Sequence, residues 1–274
     1  MKGIILYEPG VAPQREWYIN KYISAFKNRG HELFLATTDE IEKALESKPD
    51  FAVVRVMAPG ISRQLEAAGI RCFNGAALSE VANDKKKSYD FVGKHTDVPF
   101  IPYRDNPDYP CVMKHRFGHG GTRVYYMEDA SRLEVLQGNE RGEFIFQDMC
   151  DSPGRDVRVY ILGGRIVAAM ERKNPAFEDT GRPLSQRFLS NYCLGGTASP
   201  YDIDGDREMT GYALSIAKAI PMDLAGIDFI FHEGHPVFNE IEDVVGSRML
   251  YAMTDIDIVE DYADHIIKEL YEQS

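Results

Sequence analysis

The sequence is poor in cysteine, and its cysteines are widely spaced. There are four in 274 residues, and no two of them form a Cys-x-x-Cys pair. They are Cys72, Cys111, Cys150 and Cys193. This spacing predicts neither a zinc site nor a disulfide framework.

Long apolar runs are also missing. None approaches the roughly 20 residues that a helix needs to cross a bilayer. The apolar run at the N-terminus meets Glu8 and Pro9 at once, which makes it too short for a signal peptide. We therefore expect no membrane segment and a cytoplasmic protein with reduced thiols.

Basic residues are outnumbered, 31 against 43 acidic ones, which gives a formal net charge of −12. A protein that binds duplex nucleic acid usually needs a basic face that displaces phosphate counterions. The dense basic run is confined to residues 85–87. We therefore expect no nucleic-acid partner.

Hydrophobic residues make up 44% of the chain, enough to build cores for two or three lobes around a cleft. Residues 1–82 alternate between short apolar strand patterns and helical patterns. This alternation predicts a small parallel sheet with right-handed crossovers. Farther along, Gly163-Gly164 joins two apolar strands, which indicates a tight hairpin.

A glycine-rich segment, KHRFGHGGTRV, occupies residues 114–124. Lys114 ends a predicted strand, and Gly118, Gly120 and Gly121 permit a close backbone approach. Consecutive backbone N–H groups in such a loop can hold phosphate oxygens, and the lysine adds a charge. The segment lacks the Walker order, and a strand rather than a helix follows it. An ordinary glycine-rich hairpin is the alternative.

Three acidic residues near the C-terminus form a candidate metal site. Glu240 and Glu242 are two apart on a predicted strand and face the same way. Asp228, on the preceding strand, joins them only if the turn near Gly234 has an odd number of residues or a strand carries a bulge. Adjacent carboxylates repel unless a cation joins them, and oxygen ligands suit Mg²⁺ or Mn²⁺. A solvated polar strand face is the alternative.

Two arginines lie on the strands of the Gly-Gly hairpin. Arg158 is on the first strand, and Arg172 is at the end of the second. A guanidinium matches the geometry of a phosphate, although exposed arginines on a strand could equally be solubilising. Asn191 is a further candidate for a metal or phosphate shell.

Taken in order, these segments resemble the ATP-grasp superfamily and, within it, the RimK-type ligases that add amino acids to carboxyl groups. The resemblance covers roughly residues 83–246. It rests on the segments NDKKKSYDF, CVMKHRFGHGGTRV, FIFQDM, GRDVRVYILGGRIVAAMERK, SNYCLGG and AGIDFIFHEGHPVFNEIED.

The resemblance implies an α/β (α+β) ATP-grasp fold, in which two α+β subdomains clamp ATP between antiparallel sheets. A small α/β domain at 1–82 would precede a central subdomain at 83–148, which carries the glycine-rich loop. A C-terminal subdomain at 149–274 would carry the metal site.

The resemblance also implies residue roles. The positions near ATP are Lys85, Lys114, Gly118, Gly120, Gly121, Gln147, Asp148, Met149, Asp156 and Asn191. Residues 147–149 match the linker strand whose backbone meets adenine. Arg158 and Lys114 match catalytic positions near the transferred phosphate.

For the metal and the substrate, the resemblance implies two further sets. Mg²⁺ or Mn²⁺ would be held by Asp228, Glu240 and Glu242. Candidate substrate contacts are Arg172, Ser247 and Arg248.

Three departures from the family pattern stand out. Glu242 replaces the usual asparagine of the Glu-x-Asn motif and adds a negative charge to the metal shell. Leu189 stands where an arginine often precedes Asn191. The segment DVVGSRM replaces the common Asn-x-Pro-Gly loop, which leaves the acceptor's identity open.

The implied activity is an ATP- and magnesium-dependent carboxylate–amine ligase that forms an amide through an acylphosphate. Its partners would be a small-molecule or peptide carboxylate and an amine or amino acid. The alternatives are a phosphotransferase on the same fold and a nucleotide-binding module without ligase activity. A homo-oligomer stays open.

Overall fold

The computed structural model of the chain describes residues 1–134, 138–179, 181–192 and 195–272. Cys193 lies outside them. The strands are β1 (Lys2–Tyr7), β2 (Glu32–Thr37), β3 (Phe51–Val54), β4 (Arg71–Phe73), β5 (Tyr103–Arg104), β6 (Cys111–His115), β7 (Val124–Met127), β8 (Phe144–Gln147), β9 (Arg155–Leu162), β10 (Arg165–Lys173), β11 (Thr197–Pro200), β12 (Leu224–His232) and β13 (His235–Glu242).

The helices follow the same chain order. They are α1 (Glu16–Asn28), α2 (Ile41–Glu46), α3 (Pro59–Ala67), α4 (Ala76–Ala82), α5 (Lys85–His95), α6 (Ser131–Glu134), α7 (Leu184–Arg187), α8 (Arg207–Ala219), α9 (Arg248–Met253) and α10 (Ile258–Glu272). Short 3₁₀ segments lie at Ala12–Arg15, Thr38–Glu40 and Gly138–Glu143. None of the helices in the described ranges is long and apolar enough to cross a bilayer.

The first sheet has the strand order β2-β1-β3-β4, and all its neighbouring strands are parallel. This confirms the parallel sheet predicted from the strand–helix alternation. β3 is buried along its whole length, as expected for a strand covered on both faces. Ile5 and Phe26 share one core with Tyr160 and Ile266, so the first sheet packs directly against the C-terminal half of the chain.

The other two sheets are antiparallel, as the fold class predicted. One has the order β11-β10-β9-β12-β13, and the other has the order β5-β8-β6-β7. Gly163 and Gly164 both have positive φ and connect β9 to β10, which confirms the predicted Gly-Gly hairpin. The glycine-rich segment connects β6 to β7.

Buried Asn74, just after β4, joins the first sheet to the larger antiparallel sheet. Its Nδ2 donates to the carbonyl oxygens of Leu224, at 2.6 Å, and Asp243, at 2.8 Å. Its Oδ1 accepts from the backbone N–H groups of Asp223 and Leu224. One side chain thus fixes the first sheet to β12 and to the segment that follows β13.

Candidate active site

The three acidic residues converge because of a β-bulge. The turn between β12 and β13 has two residues, since His232 pairs with His235. An even turn alone would pair Asp228 with Asn239, but the register shifts between Asp228 and Phe229 and places Asp228 opposite Glu240. Ligand oxygens of Asp228, Glu240 and Glu242 lie within 4.8 Å of one another. These three residues are called the carboxylate cluster below.

Two arginines neutralise part of this cluster from neighbouring strands. Arg158 lies across from Asp228 in the register of β9 and β12, and it binds both carboxylate oxygens of that residue at 2.8 Å. Its Nη2 also reaches Glu242 at 2.5 Å. Arg172 binds Asp156 at 2.6 and 2.7 Å and Asp228 at 2.6 Å. Both arginines are therefore buried in ion pairs rather than exposed and solubilising.

Lys85 brings a third positive charge from the start of α5. Asp84 caps this helix by accepting from two of its backbone N–H groups, and it also pairs with Arg116. The cap orients the first residue of the helix toward the carboxylate cluster. There the Nζ of Lys85 donates to Glu240 at 2.7 Å and to the carbonyl oxygen of Gly118 at 2.5 Å.

Burial and ion pairing have opposite effects on the pKa values of the carboxylate cluster. Burial would raise the pKa of Asp228, but Arg158 and Arg172 together hold it well below its usual range. Burial raises the pKa of Glu242 to about 7, with Arg158 opposing. Burial also raises the pKa of Asp156, against the effect of Arg172. The arginines thus keep Asp228 ionised, whereas burial opposes the negative charge of Glu242 more than Arg158 favours it.

Lys114, on β6, lies beside the bulge. Its Nζ donates to Oδ1 of Asn239 at 2.7 Å and to the hydroxyl of Tyr89 at 3.3 Å. Burial, with the charge of Lys85, lowers the pKa of Lys114 to about 8. Asn239 was not among the site residues predicted from the sequence. Its position directly before Glu240, in the NEIE segment, is a signal that could have identified it.

A first cavity lies between the two antiparallel sheets, beside the glycine-rich loop (residues 118–121). It is lined by most of the site residues predicted from the sequence: Lys85, Lys114, Gly121, Gln147, Asp148, Met149, Asp156, Arg172, Asn191, Asp228 and Glu240. The cavity is thus cationic at Lys85 and Lys114 and acidic at the carboxylate cluster. Leu189, the departure from the family pattern, also lines it.

The glycine-rich loop packs closely against Asn191 at the wall of this cavity. Gly121 has a φ of +78°, and a Cβ there would lie 2.4 Å from Oδ1 of Asn191. Gly118 does not line the cavity but accepts the bond from Lys85. The Asp148 carboxylate pairs with Arg104 and is exposed.

The second cavity, with a volume of about 390 Å³, lies between the first sheet and β13. Its predicted site residues are Gly120, Arg158, Arg172, Asn191, Glu242, Ser247 and Arg248. One wall of this cavity comes from the first sheet and was not predicted from the sequence. It includes Tyr7, Glu8 and Arg55. Arg172 and Asn191 line both cavities, so the carboxylate cluster lies where the two meet.

The sequence matches a known protein family. A family model described as a RimK-like ATP-grasp domain matches residues 84–266. A probable alpha-L-glutamate ligase of Maridesulfovibrio salexigens is 26% identical over 224 residues, which cover 76% of this chain and 71% of the relative. A probable alpha-L-glutamate ligase of Methanococcoides burtonii is 26% identical over 233 residues, which cover 79% and 74%.

Solved structures share the fold over nearly the whole chain. The D-alanine–D-alanine ligase from Bacillus anthracis complexed with ATP superposes with a TM-score of 0.72 at 16% identity, covering 98% of this chain and 97% of that one. The RimK domain ATP-grasp protein from Sphaerobacter thermophilus superposes with a TM-score of 0.67 at 16% identity, covering 97% and 99%. At this identity the likeness shows the fold, which is the ATP-grasp fold that the resemblance implied.

Proposed function

This chain belongs to the RimK-like ATP-grasp family, and we propose that it is an ATP-dependent carboxylate–amine ligase that forms an amide through an acylphosphate. The observation that carries the proposal is the position of the carboxylate cluster. It lies where the two cavities meet, surrounded by Lys85, Arg158 and Arg172. One cavity would hold ATP, and the other would hold the substrates that react at its γ-phosphate.

ATP would occupy the first cavity. The backbone of residues 147–149 would meet adenine, while the phosphates would lie against the glycine-rich loop, near Lys85 and Lys114. Backbone N–H groups and two ammonium groups are suited to a triphosphate, because they offset its charge without extensive side-chain reorganisation. Asn191, packed against Gly121, would hold the loop over the phosphates.

The donor set of the carboxylate cluster fits a hard divalent cation, Mg²⁺ or Mn²⁺. Asp228, Glu240 and Glu242 supply oxygen ligands within 4.8 Å of one another. When bound, such an ion neutralises phosphate charge and orients the triphosphate. Arg158 and Arg172 hold Asp228 ionised and fixed, which prepares it as a ligand.

The reaction proceeds in two displacements. A carboxylate oxygen of the donor attacks the γ-phosphorus, ADP leaves, and an acylphosphate forms. The amine nitrogen then attacks the acyl carbon, inorganic phosphate leaves, and the amine loses a proton. Lys114 and Arg158 would offset the charge that develops on the phosphoryl oxygens. The loop at Gly120 and Gly121 would keep water from the acylphosphate.

An ADP-release assay over pooled carboxylates and amines tests the proposal. We expect ADP release that requires both a carboxylate and an amine. Glu240→Gln should lower its rate by on the order of 10²–10³, whereas Glu233→Gln, an exposed change in the turn of the same hairpin, should not lower it. Full ADP release without an amine would identify a phosphotransferase, and nucleotide binding without ADP release would identify a binding module.

A further inference from the structure

The second cavity opens at the switch point of the first sheet. In the order β2-β1-β3-β4, the chain leaves β1 toward one edge of the sheet and reaches β3 on the other side of β1. Ligands of parallel sheets bind in the crevice outside the carboxyl ends of such a strand pair. Tyr7 ends β1 and Glu8 follows it, Arg55 follows β3, and all three line this crevice.

Arg55 is a buried cation whose guanidinium Nε has no hydrogen-bond partner. Its side chain lines the second cavity, yet the residue is only 9% exposed. Its Nη2 donates to the carbonyl oxygen of Val245 at 2.8 Å, and its Nε has no hydrogen-bond partner. Within the described part of the chain, no carboxylate forms an ion pair with it. A buried charge without a partner is costly, and a ligand that neutralises it recovers that cost.

The acidic groups around this crevice are hydrogen-bonded to other residues, although the charge of Arg55 opposes the rise that burial causes in the pKa of Asp243. Asp243 accepts from Nδ2 of Asn83 at 2.9 Å, and Glu8 accepts from the hydroxyl of Thr38 at 2.8 Å. Glu242 is bound by Arg158. The other titratable neighbours of Arg55 are tyrosines, and the ring of Tyr18 lies 6.0 Å from the guanidinium carbon.

A second buried donor without a partner lines the same cavity. Ser247 is 3% exposed, and its Oγ makes no hydrogen bond. Arg15 and Arg248 line the cavity too, and neither forms an ion pair with any residue that the structure covers. In a chain with a net charge of −12, this concentration of unpaired donors and cations favours an anionic ligand.

We propose that Arg55, together with Ser247, binds a carboxylate of the substrate other than the one that ATP activates. A guanidinium offers parallel donors that match a carboxylate, and a hydroxyl can add a third bond. The acid that is phosphorylated must lie at the carboxylate cluster, so the group at Arg55 is a second, unreacting one. The inference rests on the proposed function in one respect, that the second cavity holds substrate.

Thermal unfolding of the full chain with glutarate, a simple dicarboxylate, tests this subsite without turnover. The variants are Arg55→Met, which removes the charge, and Arg55→Lys, which keeps it. Arg63→Gln is the matched control, because Arg63 is an exposed arginine of the same sheet region paired with Glu80. We expect glutarate to raise the Tm of wild type and Arg63→Gln, to raise that of Arg55→Lys by less, and to leave Arg55→Met unchanged. Neutral glutaramide should shift none of them.

Without any ligand, Arg55→Met should unfold at or above the wild-type Tm, because it removes a buried charge that forms no ion pair with any described residue. A drop of more than about 4 °C would show that Arg55 is a structural clamp on Val245 and would overturn the proposal. So would the absence of a glutarate shift in wild type, or an equal shift in Arg55→Met. Failure of the proposed function has a different signature, the absence of ADP release in the substrate screen.

Discussion

Glu240 lies at the centre of the cluster, where it accepts from Lys85 and lies opposite Asp228. We predict that Glu240→Gln lowers kcat by on the order of 10²–10³, because it removes a charged ligand at the transferred phosphate. The Tm should stay close to that of wild type. Steady-state ADP release and a thermal scan measure both quantities, and undiminished turnover would remove Glu240 from the metal site.

Glu242 occupies the position where the family usually has asparagine. We predict that Glu242→Asn keeps kcat within about tenfold of wild type, since an amide oxygen is also an oxygen ligand. The same assay measures it. Complete loss of turnover would instead assign a dedicated role to the additional negative charge that Arg158 now binds.

Lys114 gives a pH dependence with a definite sign. Because burial and the charge of Lys85 lower the pKa of Lys114 to about 8, its ammonium is present below that pH and is lost above it. We predict that affinity for a non-hydrolysable ATP analogue falls about fivefold between pH 8 and pH 9, in step with the charged fraction of Lys114. Calorimetric titration measures this, and Lys114→Arg, whose charge persists, should remove the decline. A pH-independent affinity in wild type would contradict the prediction.

For single residues, the sequence identified charged site residues but not the ion pairs that they form. Arg158 and Arg172 were candidates from their chemistry and strand positions alone. Their bonds to Asp228 depend on cross-strand register, which residue spacing within one strand does not specify. Arg55 was missed for a related reason. Arg55 is notable because its Nε has no hydrogen-bond partner in the folded chain, and the sequence cannot show that.

Among the elements, the glycine-rich loop has a strict steric requirement at one position. Gly121 and Gly120 both have positive φ, but only at Gly121 would a Cβ meet a neighbour, Asn191. We predict that Gly121→Ala lowers affinity for the ATP analogue by at least about tenfold, from strain of about 1–3 kcal/mol plus the clash. Calorimetric titration compares it with Gly120→Ala, which carries the φ penalty alone. Equal affinities of the two variants would contradict the prediction.

The β12–β13 hairpin shows how far local patterns extend. Alternation and turn residues predicted both strands and the shared face of Glu240 and Glu242. Whether Asp228 joined that face was left conditional, because an even turn and a bulge have opposite effects on register. The bulge at Asn239 decides it, and Asn239 in turn binds Lys114 from another sheet. The sequence of β13 alone thus did not specify the bulge, and in the folded chain the bulged residue Asn239 bonds Lys114 on β6.

For the molecule as a whole, Asn74 is a buried polar link between the first sheet and the sheet that carries the carboxylate cluster. We predict that Asn74→Ala lowers the free energy of unfolding by about 3 kcal/mol, since it leaves several buried backbone groups without partners. Urea unfolding measures this against Asn28→Ala, an exposed asparagine at the end of α1. A loss below about 0.5 kcal/mol would show that apolar packing alone holds the two sheets together.

The overall architecture was largely accessible from the sequence because its signals are local. Strand–helix alternation predicted the parallel sheet, and Gly163-Gly164 predicted the hairpin of the larger antiparallel sheet. The second cavity was not accessible, because its walls come from residues after β1, after β3 and after β13. Only the folded chain brings these three segments together.

The most direct test of the account follows one oxygen atom through the reaction. With a donor substrate whose reacting carboxylate carries ¹⁸O at both oxygens, transfer of the γ-phosphoryl group to that carboxylate must leave one labelled oxygen in the inorganic phosphate released. Mass spectrometry of the phosphate measures this in the presence of ATP, Mg²⁺ and the amine. The account predicts one ¹⁸O per phosphate, in step with amide formation. Unlabelled phosphate would mean that water attacks ATP directly, and this would contradict the acylphosphate route.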